Sequence, residues 1–467
     1  MSREPNPETD EGLRVPWSRS QGAVARRLLQ PLQSFLEAEA SSAVLLLSAA
    51  VLAIAWANSP WSVAYEDLWG TVLTFRVGDW VVREDLRHFV NDGLMSLFFL
   101  VVGLEIKREF LTGELRDRRA AALPVVAALG GMVVPALIYL ALNAGGEGAE
   151  GWGIPMATDI AFALGVLTLA ARSAPASLKP FLLTLAIVDD IGAIVVIAFF
   201  YSGGVATGPL LAAAVLLGAI LLLQRLDVRS AVIYVALGLG VWLAFHESGV
   251  HPTIAGVILG LLTPAEPFQR PRAVSAEAVR TAATTVDDPE PPDADSPQWL
   301  RLAMLSREAV SPLARAEAAL HPWTSYAVIP LFALANAGVR LSADAFRDAM
   351  TSPVTLGVVL GLVAGKILGI TLASALAVRT GLGRLPSACG WRHVVGVSAV
   401  AGVGFTVSLF IAELAFADPA LAVEAKVGIF AASLVAGVIG FTVLRSGRVA
   451  APAEPSSPGN VSAGPGG

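Results

Sequence analysis

The sequence predicts an all-α polytopic membrane protein with about twelve transmembrane helices. Of its 467 residues, 55% are hydrophobic and only 15% are charged, against roughly 25% charged residues in soluble domains. A soluble core cannot hide so much apolar surface, and the mean hydropathy of +0.66 agrees. The net charge of −6, without a basic stripe, excludes nucleic acid as a partner. The single cysteine, Cys389, excludes an internal disulfide and a cysteine-based metal cluster.

The helix count comes from apolar segments, since a spanning helix needs about 20 residues. Twelve segments lie near residues 40–58, 90–106, 121–142, 152–171, 178–201, 205–224, 230–247, 251–264, 325–343, 353–378, 393–416 and 423–444. The 251–264 segment is short, so we expect it to be tilted or partly covered by its neighbours.

Lysine and arginine residues predict the orientation. If the N-terminus is inside, 25 of the 32 basic residues fall on the inner side and 6 on the outer side. This bias is the one that the positive-inside rule expects. Both termini are therefore predicted to be cytoplasmic, and Lys366 alone among the basic residues falls within a span.

Polar composition divides the chain. The N-terminal residues lack the apolar core and cleavage site of a signal peptide, and an acidic, proline-rich run at 287–295 cannot bury a core. We therefore predict a cytoplasmic tail at 1–35, transmembrane helices 1–8 over 36–264, a disordered cytoplasmic linker over 265–320, transmembrane helices 9–12 over 321–446, and a disordered cytoplasmic tail at 447–467.

One stretch departs from the helical pattern. Over residues 71–82, β-branched and aromatic residues flank Gly78-Asp79, which suits a two-residue hairpin turn. A small β-hairpin is therefore predicted on the outer face.

Five charged residues lie within or at the edge of the spans, where an ionised side chain costs at least ~2.5–3.5 kcal/mol. They are Asp92, Asp159, Asp189, Asp190 and Lys366. Asp189 and Asp190 are adjacent in a long apolar helix, so they point about 100° apart. Like charges in a poorly solvated site oppose simultaneous ionisation. Such a pair could release protons and then offer oxygens to a hard cation.

Each of these residues also has a structural interpretation. Asp189 or Asp190 could be an ion-pair partner of Lys366, and Asp159 or Asp92 could be an ordinary helix cap. Lys366 could extend along the helix to the membrane surface. Acidic and basic residues from Glu105 to Glu109 could be a plain solvated cluster at the inner end of their span.

Two spans contain helix-breaking residues. Thr158 and Asp159 follow a Gly-x-Pro stretch in the fourth span, and Gly402 and Gly404 interrupt the eleventh. Unwound backbone at membrane depth is tolerated only where protein buries it or a cavity wets it. Each break lies in the middle of a three-span unit, and the two units start on opposite sides. The sequence therefore predicts inverted three-helix repeats with two broken crossing helices. Inverted repeats with paired broken helices surround the central site in several transporter families.

Five motifs resemble those of the bacterial NhaA-type sodium/proton antiporters. In chain order they are FFLVVGLEIKRE at 98–109, ATDIAFALG at 157–165, VDDIGAI at 188–194, LFALANAG at 331–338 and GFTVSLFI at 404–411. The resemblance runs from about residue 35 to 446, apart from the linker. It implies electrogenic exchange of more than one proton for each Na⁺ or Li⁺ across the bacterial inner membrane, for pH and sodium homeostasis. It implies no cofactor beyond the transported ions.

The resemblance also implies roles for individual residues. Asp189 and Asp190 match the pair that binds protons and the Na⁺ or Li⁺ ion. Asp159, with Thr158, matches the aspartate at the crossing of the broken helices. Lys366 matches the lysine that pairs with one aspartate, which we take to be Asp189.

Further positions match supporting parts of the family. Asp92 matches an acidic residue of the inner transport region, and Gly402 and Gly404 match the second break. The candidates for pH sensing are Glu105, Glu109, Glu317 and His321 on the cytoplasmic side, and His251 elsewhere. The outer hairpin matches the family's dimer contact, which predicts a homodimer. The long acidic linker, and Ala318 where the family can carry a histidine, depart from the pattern.

Other function classes fit less well. A proton-coupled transporter of another small solute usually holds its solute with an arginine or aromatic residues, and no arginine falls mid-span. In a membrane aspartyl protease using Asp159 and Asp189, a neighbouring lysine would disturb the shared proton. In a passive channel, titrating carboxylates that bind the ion would oppose fast conduction. We therefore predict a secondary transporter and not an enzyme, with the transporter of another solute as the alternative.

Overall fold

A computed structural model describes residues 41–77, 80–170, 175–285, 296–340, 347, 349 and 351–446. This part of the chain is mostly helical, with one two-stranded sheet. Within it, 8 helices are long and apolar enough to cross a membrane, or up to 11 if each of three bent helix pairs is one span. A polytopic helical membrane protein is therefore confirmed. The tails predicted at 1–35 and 447–467 lie outside the described residues.

The described helices are, in chain order, α1 (Ser41–Ala57), α2 (Ser62–Trp69), α3 (Leu86–Thr112), α4 (Arg118–Asn143), α5 (Ile160–Ala170), α6 (Leu178–Phe200), α7 (Thr207–Arg225), α8 (Ala231–Ser248), α9 (Thr253–Leu262), α10 (Pro271–Thr285), α11 (Ser296–Glu308), α12 (Pro312–Asn336), α13 (Pro353–Arg379), α14 (Trp391–Val400), α15 (Phe405–Ala415) and α16 (Pro419–Arg445). A 3₁₀-helix, Glu147–Met156, precedes α5. Short π-helical turns occur in α3 at Phe89–Leu94, in α12 at Thr324–Val328 and in α13 at Gly361–Gly365.

Local sequence sets several helix ends. The side chains of Ser352 and Asp418 accept hydrogen bonds from the backbone N–H groups of Val354 and Ala420. A proline follows each of these caps, at the first helical position. An N–H group at this position would have no hydrogen-bond partner within the helix, so proline loses nothing by lacking it. Gly249 ends α8 with φ of 78°, a left-handed conformation that glycine adopts without strain.

The predicted hairpin is present. Strands β1 (Val72–Val77) and β2 (Trp80–Asp85) pair antiparallel, with Val77 opposite Trp80. This register leaves two residues for the predicted turn, which lie outside the described residues. At the end of β2, Asp85 accepts a hydrogen bond of 2.7 Å from the backbone N–H of His88. Burial raises the pKa of Asp85, but the hydrogen bonds from His88 outweigh it and the pKa is lowered.

The segment 265–320 differs from the disordered linker that we predicted. It contains the helices α10 and α11, and α12 begins within it. Glu308, at the end of α11, lies 2.9 Å from Arg229 and 3.1 Å from Gln269. The acidic run that suggested disorder falls in residues 286–295, outside the described residues. The prediction was wrong for the flanking residues because it extended the character of that short run to the whole segment.

Burial separates interior helices from peripheral ones. In the most apolar 18-residue stretch of α6, 61% of the residues are buried, against 11% in the corresponding stretch of α7 and 22% in that of α8. Exposed leucine and valine side chains on α7 and α8 suit contact with lipid tails, which are as apolar as these residues. Since α6 carries both adjacent aspartates, the charged residues lie in the interior.

Helices α4 and α13 approach so closely that only glycine fits between them. A Cβ atom on Gly130 would lie 2.3 Å from the carbonyl oxygen of Gly369, and one on Gly369 would lie 2.1 Å from that of Gly130. Small residues permit such backbone contact between membrane helices. Because Lys366 lies less than one turn before Gly369, this contact positions the buried lysine.

We expect Gly369→Ala to destabilise the protein by roughly 1–3 kcal/mol, because backbone must move to admit the methyl group. The apparent melting temperature of purified protein in detergent measures the loss. The matched control is Gly218→Ala in α7, where an added Cβ meets nothing within 4 Å. Alanine there should be neutral or slightly stabilising, because it is the better helix former. Equal melting temperatures for the two variants would contradict the packing argument.

Candidate functional site

Two bent helix pairs meet at the site. The 3₁₀-helix and α5 form an angle of 46° across their break, and α14 and α15 form an angle of 47°. The backbone N–H of Asp159, in the first break, donates a hydrogen bond of 2.7 Å to the carbonyl of Val403, in the second. The two interruptions that the sequence predicted are therefore directly joined.

Asp159 binds the N-termini of both following helices. Its Oδ1 accepts from the backbone N–H of Phe162 at 3.0 Å. Its Oδ2 accepts from the N–H of Thr406 at 3.1 Å and from the Thr406 hydroxyl at 2.7 Å. A carboxylate is favoured at a helix N-terminus by the free N–H groups and by the helix dipole. One negative charge thus holds the starts of α5 and α15 together.

A fully buried ion pair lies beside this crossing. The Nζ atom of Lys366 lies 2.6 Å from Oδ2 of Asp189, and both side chains are 0% exposed. The same ammonium donates to the carbonyl of Met156 at 2.5 Å and to the Thr158 hydroxyl at 3.1 Å. Three acceptors therefore satisfy its three N–H groups. This supports the assignment of Asp189, rather than Asp190, as the partner of Lys366.

Thr158 connects the ion pair to the second break. Its hydroxyl oxygen lies 2.9 Å from Oδ2 of Asp189 and 2.9 Å from the carbonyl oxygen of Ala401. A hydroxyl has one proton to donate, so it can bond only one of these acceptors at a time. Thr158 can therefore exchange acceptors without leaving its place.

Two carboxylate oxygens at the site have no partner among the described residues. They are Oδ1 of Asp189 and Oδ1 of Asp190, both buried. Buried acceptors without a partner are costly, and each needs a proton, a water molecule or a cation. Carboxylate oxygens are the ligands that hard cations prefer. Among the described residues, no group of three or more His, Cys, Asp or Glu side chains forms a larger metal cluster.

The glycines of the second break allow close contact with α13. A Cβ atom on Gly402 would lie 2.3 Å from the carbonyl oxygen of Leu362, within the π-helical turn that precedes Lys366. A Cβ on Gly404 would lie 3.1 Å from the carbonyl oxygen of Ala157. Both glycines thus make room for the backbone that carries the charged residues.

The structure does not bring Asp92 to the aspartate pair. Its carbonyl accepts hydrogen bonds from Ser96 and from the Trp242 ring at 3.1 Å, in the π-helical turn that follows the hairpin. Asp92 therefore lies at the hairpin end of α3, whereas Glu105 and Glu109 lie near its other end. The supporting role of Asp92 stays a prediction.

The pH-sensing candidates fall into separate places. Arg108 lies 3.8 Å from Glu105 and is also paired with Glu317 of α12. Glu109 is buried and accepts a hydrogen bond of 2.7 Å from the backbone N–H of Glu114. Glu105 and Glu317 therefore form a network with Arg108 at the end of α3, whereas Glu109 binds the turn that follows.

The two histidines are not in that network. His321 is exposed on α12. His251 lies between α8 and α9, where the backbone N–H of Gly203 donates to the carbonyl of Gly249 at 3.0 Å. The Nδ1 atom of His251 is buried and has no hydrogen-bond partner among the described residues.

Sequence reasoning missed three groups of the site. The carbonyl of Met156 contacts Lys366, the side chain of Thr406 contacts Asp159, and the carbonyl of Ala401 accepts a hydrogen bond from Thr158. Carbonyl groups leave no signal in a sequence. Thr406 does follow the second glycine break, but which carboxylate it meets depends on how the two bent pairs cross.

A buried carboxylate pair with open oxygens, of which one carboxylate is paired with an ammonium, lies among apolar helices. These features are typical of a membrane transport protein for a small cation. The chain matches the family described as Na⁺/H⁺ antiporter 1 over residues 33–444. It therefore belongs to the Na⁺/H⁺ antiporter family, as its motifs suggested. Members of this family are transporters and not enzymes, and they need no cofactor besides the ions that they carry.

Individual relatives are similar over nearly their whole length. The chain is 47% identical to Na⁺/H⁺ antiporter NhaA 2 of Sorangium cellulosum, over 92% of this chain and 94% of that protein. It is 48% identical to Na⁺/H⁺ antiporter NhaA 3 of Frankia alni, over 89% and 88%. It is 49% identical to Na⁺/H⁺ antiporter NhaA of an Anaeromyxobacter species, over 90% and 92%.

We expect Lys366→Met to cost about 3–5 kcal/mol of folding free energy, because Asp189 is left as an unpaired buried charge. The double variant Asp189→Asn/Lys366→Met removes both charges and should recover most of this loss. Melting temperatures of the two single variants, the double variant and the parent protein complete a double-mutant cycle. A coupling free energy near zero would contradict the ion pair.

Proposed function

We propose that this protein exchanges protons for Na⁺ or Li⁺ across the bacterial inner membrane, by competition at Asp189 and Asp190. The observation that carries the proposal is the pair of buried, unpartnered Oδ1 atoms on these two aspartates. Each can hold a proton or face a partly dehydrated cation, but not both. Coupling then follows from mutual exclusion at the same atoms.

The exchange runs by alternating access. Facing inward, the two aspartates lose protons and bind the cation, with the Thr158 hydroxyl and the unwound carbonyl of Ala401 near enough to complete its shell. Facing outward, protons return and displace the cation. The ammonium of Lys366 balances the charge of Asp189 and leaves it when the cation binds.

Exchange at this site is electrogenic. A monovalent cation brings one positive charge, whereas two carboxylates can together take two protons. If more than one proton enters for each cation that leaves, net positive charge moves inward. The membrane potential, negative inside, then drives extrusion of the cation, at about 2.3 kcal/mol for each charge per 100 mV. This supports a role in sodium and pH homeostasis.

The proposed topology has twelve spans and cytoplasmic termini. The long apolar helices, the three bent pairs and the short helix α9 support this count. The similar angles of 46° and 47° in two of the bent pairs support inverted repeats with broken crossing helices. The charge bias of the loops supports the orientation. The tails and the segment 265–320 are then cytoplasmic.

We also propose which residues regulate the protein and which surface forms its dimer. We propose that Glu105 and Glu317, through their network with Arg108, and the buried Glu109 on the same helix end sense cytoplasmic pH, with His321 and His251 as more distant contributors. Asp92, at the outer end of α3, has a supporting role.

The outer hairpin has main-chain groups available on both strand edges, which supports its use as the contact of a homodimer.

We expect Asp190→Asn to abolish exchange while the protein still folds, because an amide can neither titrate nor neutralise a cation. Everted membrane vesicles with a pH-sensitive dye report the exchange, since Na⁺ or Li⁺ should collapse an established proton gradient. The control is Asp227→Asn, at an exposed loop position with φ of 54° that asparagine also tolerates. Full exchange in Asp190→Asn would remove the assignment, and no exchange in the parent protein would remove the proposed function.

The Na⁺ concentration for half-maximal exchange should fall as the pH rises. Each binding carboxylate must lose its proton first, so competition weakens as protons become scarce. For one competing proton the change reaches up to about tenfold per pH unit. The same vesicles, titrated with Na⁺ at several pH values, measure it. A half-maximal concentration that does not depend on pH would contradict competition at shared carboxylates.

A further inference from the structure

A second buried ion pair lies away from the aspartate site. The Nζ atom of Lys426, in α16, lies 2.5 Å from Oε1 of Glu413, near the end of α15. The side chains are only 11% and 19% exposed. Glu413 Oε1 has no hydrogen-bond partner among the described residues, so the contact is an ion pair without hydrogen-bond geometry. Nothing in the exchange at Asp189 and Asp190 requires it.

Glu413 is aligned with the aspartate site along one helix. It follows Thr406 by seven residues on α15, which corresponds to two helical turns and a distance of about 10 Å. The two side chains therefore lie on the same face of the helix. Since Thr406 binds Asp159, this face leads from the crossing of the broken helices to Glu413.

A layer of aromatic side chains separates Thr406 from Glu413. Phe410 lies between them on α15 and is fully buried. Its ring centroid is 5.3 Å from that of Phe99 and 6.2 Å from that of Phe332. An ion cannot cross such a layer unless it opens, because the rings offer no oxygen ligands. Glu413 is therefore a carboxylate on the opposite side of the layer from the binding site.

Further charged groups lie on the outer side of Glu413. Tyr65 lies within electrostatic reach of Glu413, Glu66 and Arg87, and Arg87 pairs with Glu66 at 3.3 Å. These charged groups lie on the hairpin side of the molecule, which is the outer side in the proposed topology. Glu413 thus stands between the outer charged groups and the aromatic layer.

The carboxylate of Glu424 has a structural role and can be compared with that of Glu413. Glu424 accepts a hydrogen bond of 2.5 Å from Ser352, the N-cap of α13, and its carbonyl accepts one of 2.8 Å from Thr355. Its carboxylate therefore closes a helix end, whereas that of Glu413 pairs with an ammonium and its Oε1 has no hydrogen-bond partner among the described residues.

We propose that Glu413 is an outer staging site for the monovalent cation, with Lys426 as its displaceable counter-charge. The proposal rests on the proposed function, since it takes the orientation and the cation from it. A cation that has passed the open aromatic layer meets a carboxylate before it reaches bulk water, and an external cation meets the same group first. The ammonium returns to the carboxylate when the cation leaves, so the ion is not trapped.

The test compares the two faces of the membrane. In everted vesicles added Na⁺ meets the inner face, and in right-side-out vesicles radioactive Na⁺ uptake, driven by an outward proton gradient, reports the outer face. Glu413→Gln should raise the half-saturating Na⁺ concentration at the outer face by roughly threefold to tenfold, since a partly buried carboxylate attracts a cation moderately. At the inner face we expect less than a twofold change.

Two further variants keep the test independent of folding defects. Lys426→Met should lower the outer half-saturating concentration, because the cation no longer competes with an ammonium. Glu424→Gln, at the carboxylate engaged by Ser352, should leave the ratio of outer to inner values unchanged. Size-exclusion profiles identify any variant that fails to fold.

The outcomes separate the two proposals. Equal effects on both faces, or no effect on either face, would overturn the staging site while leaving the exchange intact. Inactive parent protein in both vesicle types would overturn the exchange itself, and the staging site with it.

Discussion

The buried contact between Lys366 and Asp189 is the interaction on which the rest of the structure depends. Two charges with no exposure to solvent are tolerable only as a close pair with further hydrogen bonds to hold them. The lysine meets this condition through Asp189 of α6 and through Thr158 and the carbonyl of Met156, which both lie at the break before α5. The helices must therefore assemble around the charge, and the glycine contact of α4 with α13 holds the lysine at the required depth.

The same constraint explains why the helices bend beside the ion pair. A continuous helix uses all its carbonyl and N–H groups internally, so it has none to offer a charge. The breaks before α5 and α15 free such groups. The carboxylate of Asp159 accepts from the backbone N–H of Thr406, and the ammonium of Lys366 donates to the carbonyl of Met156. Bending thus provides ligands at a depth where water does not reach.

Much of this arrangement could be predicted from the sequence, because charge within apolar spans is conspicuous. Asp159, Asp189, Asp190 and Lys366 were all identified in this way, and the structure brings Asp189, Thr158 and Lys366 into direct contact. The hairpin was also predictable, since Gly78-Asp79 and its flanking residues carry a local signal. In each case the decisive physics is local, or follows from the cost of burying a charge.

What could not be predicted depends on geometry between distant segments. The bond from Thr406 to Asp159 requires the crossing of two bent pairs, 247 residues apart in the chain. Asp92 was placed by resemblance near the transport region, but its contacts put it beside Trp242 at the hairpin end. The helices α10 and α11 were missed because the acidic, proline-rich run between them was taken to describe the whole segment.

The aromatic layer around Phe410 has an electrical consequence. Water and mobile charge carry almost no voltage drop, so a membrane potential falls mainly across the thin dry part of a protein. If Phe99, Phe332 and Phe410 form that part, the field is focused within about two helical turns of α15, or roughly 10 Å. Binding from the inner face would then be nearly independent of voltage, and the potential would act on the step that carries charge past the rings.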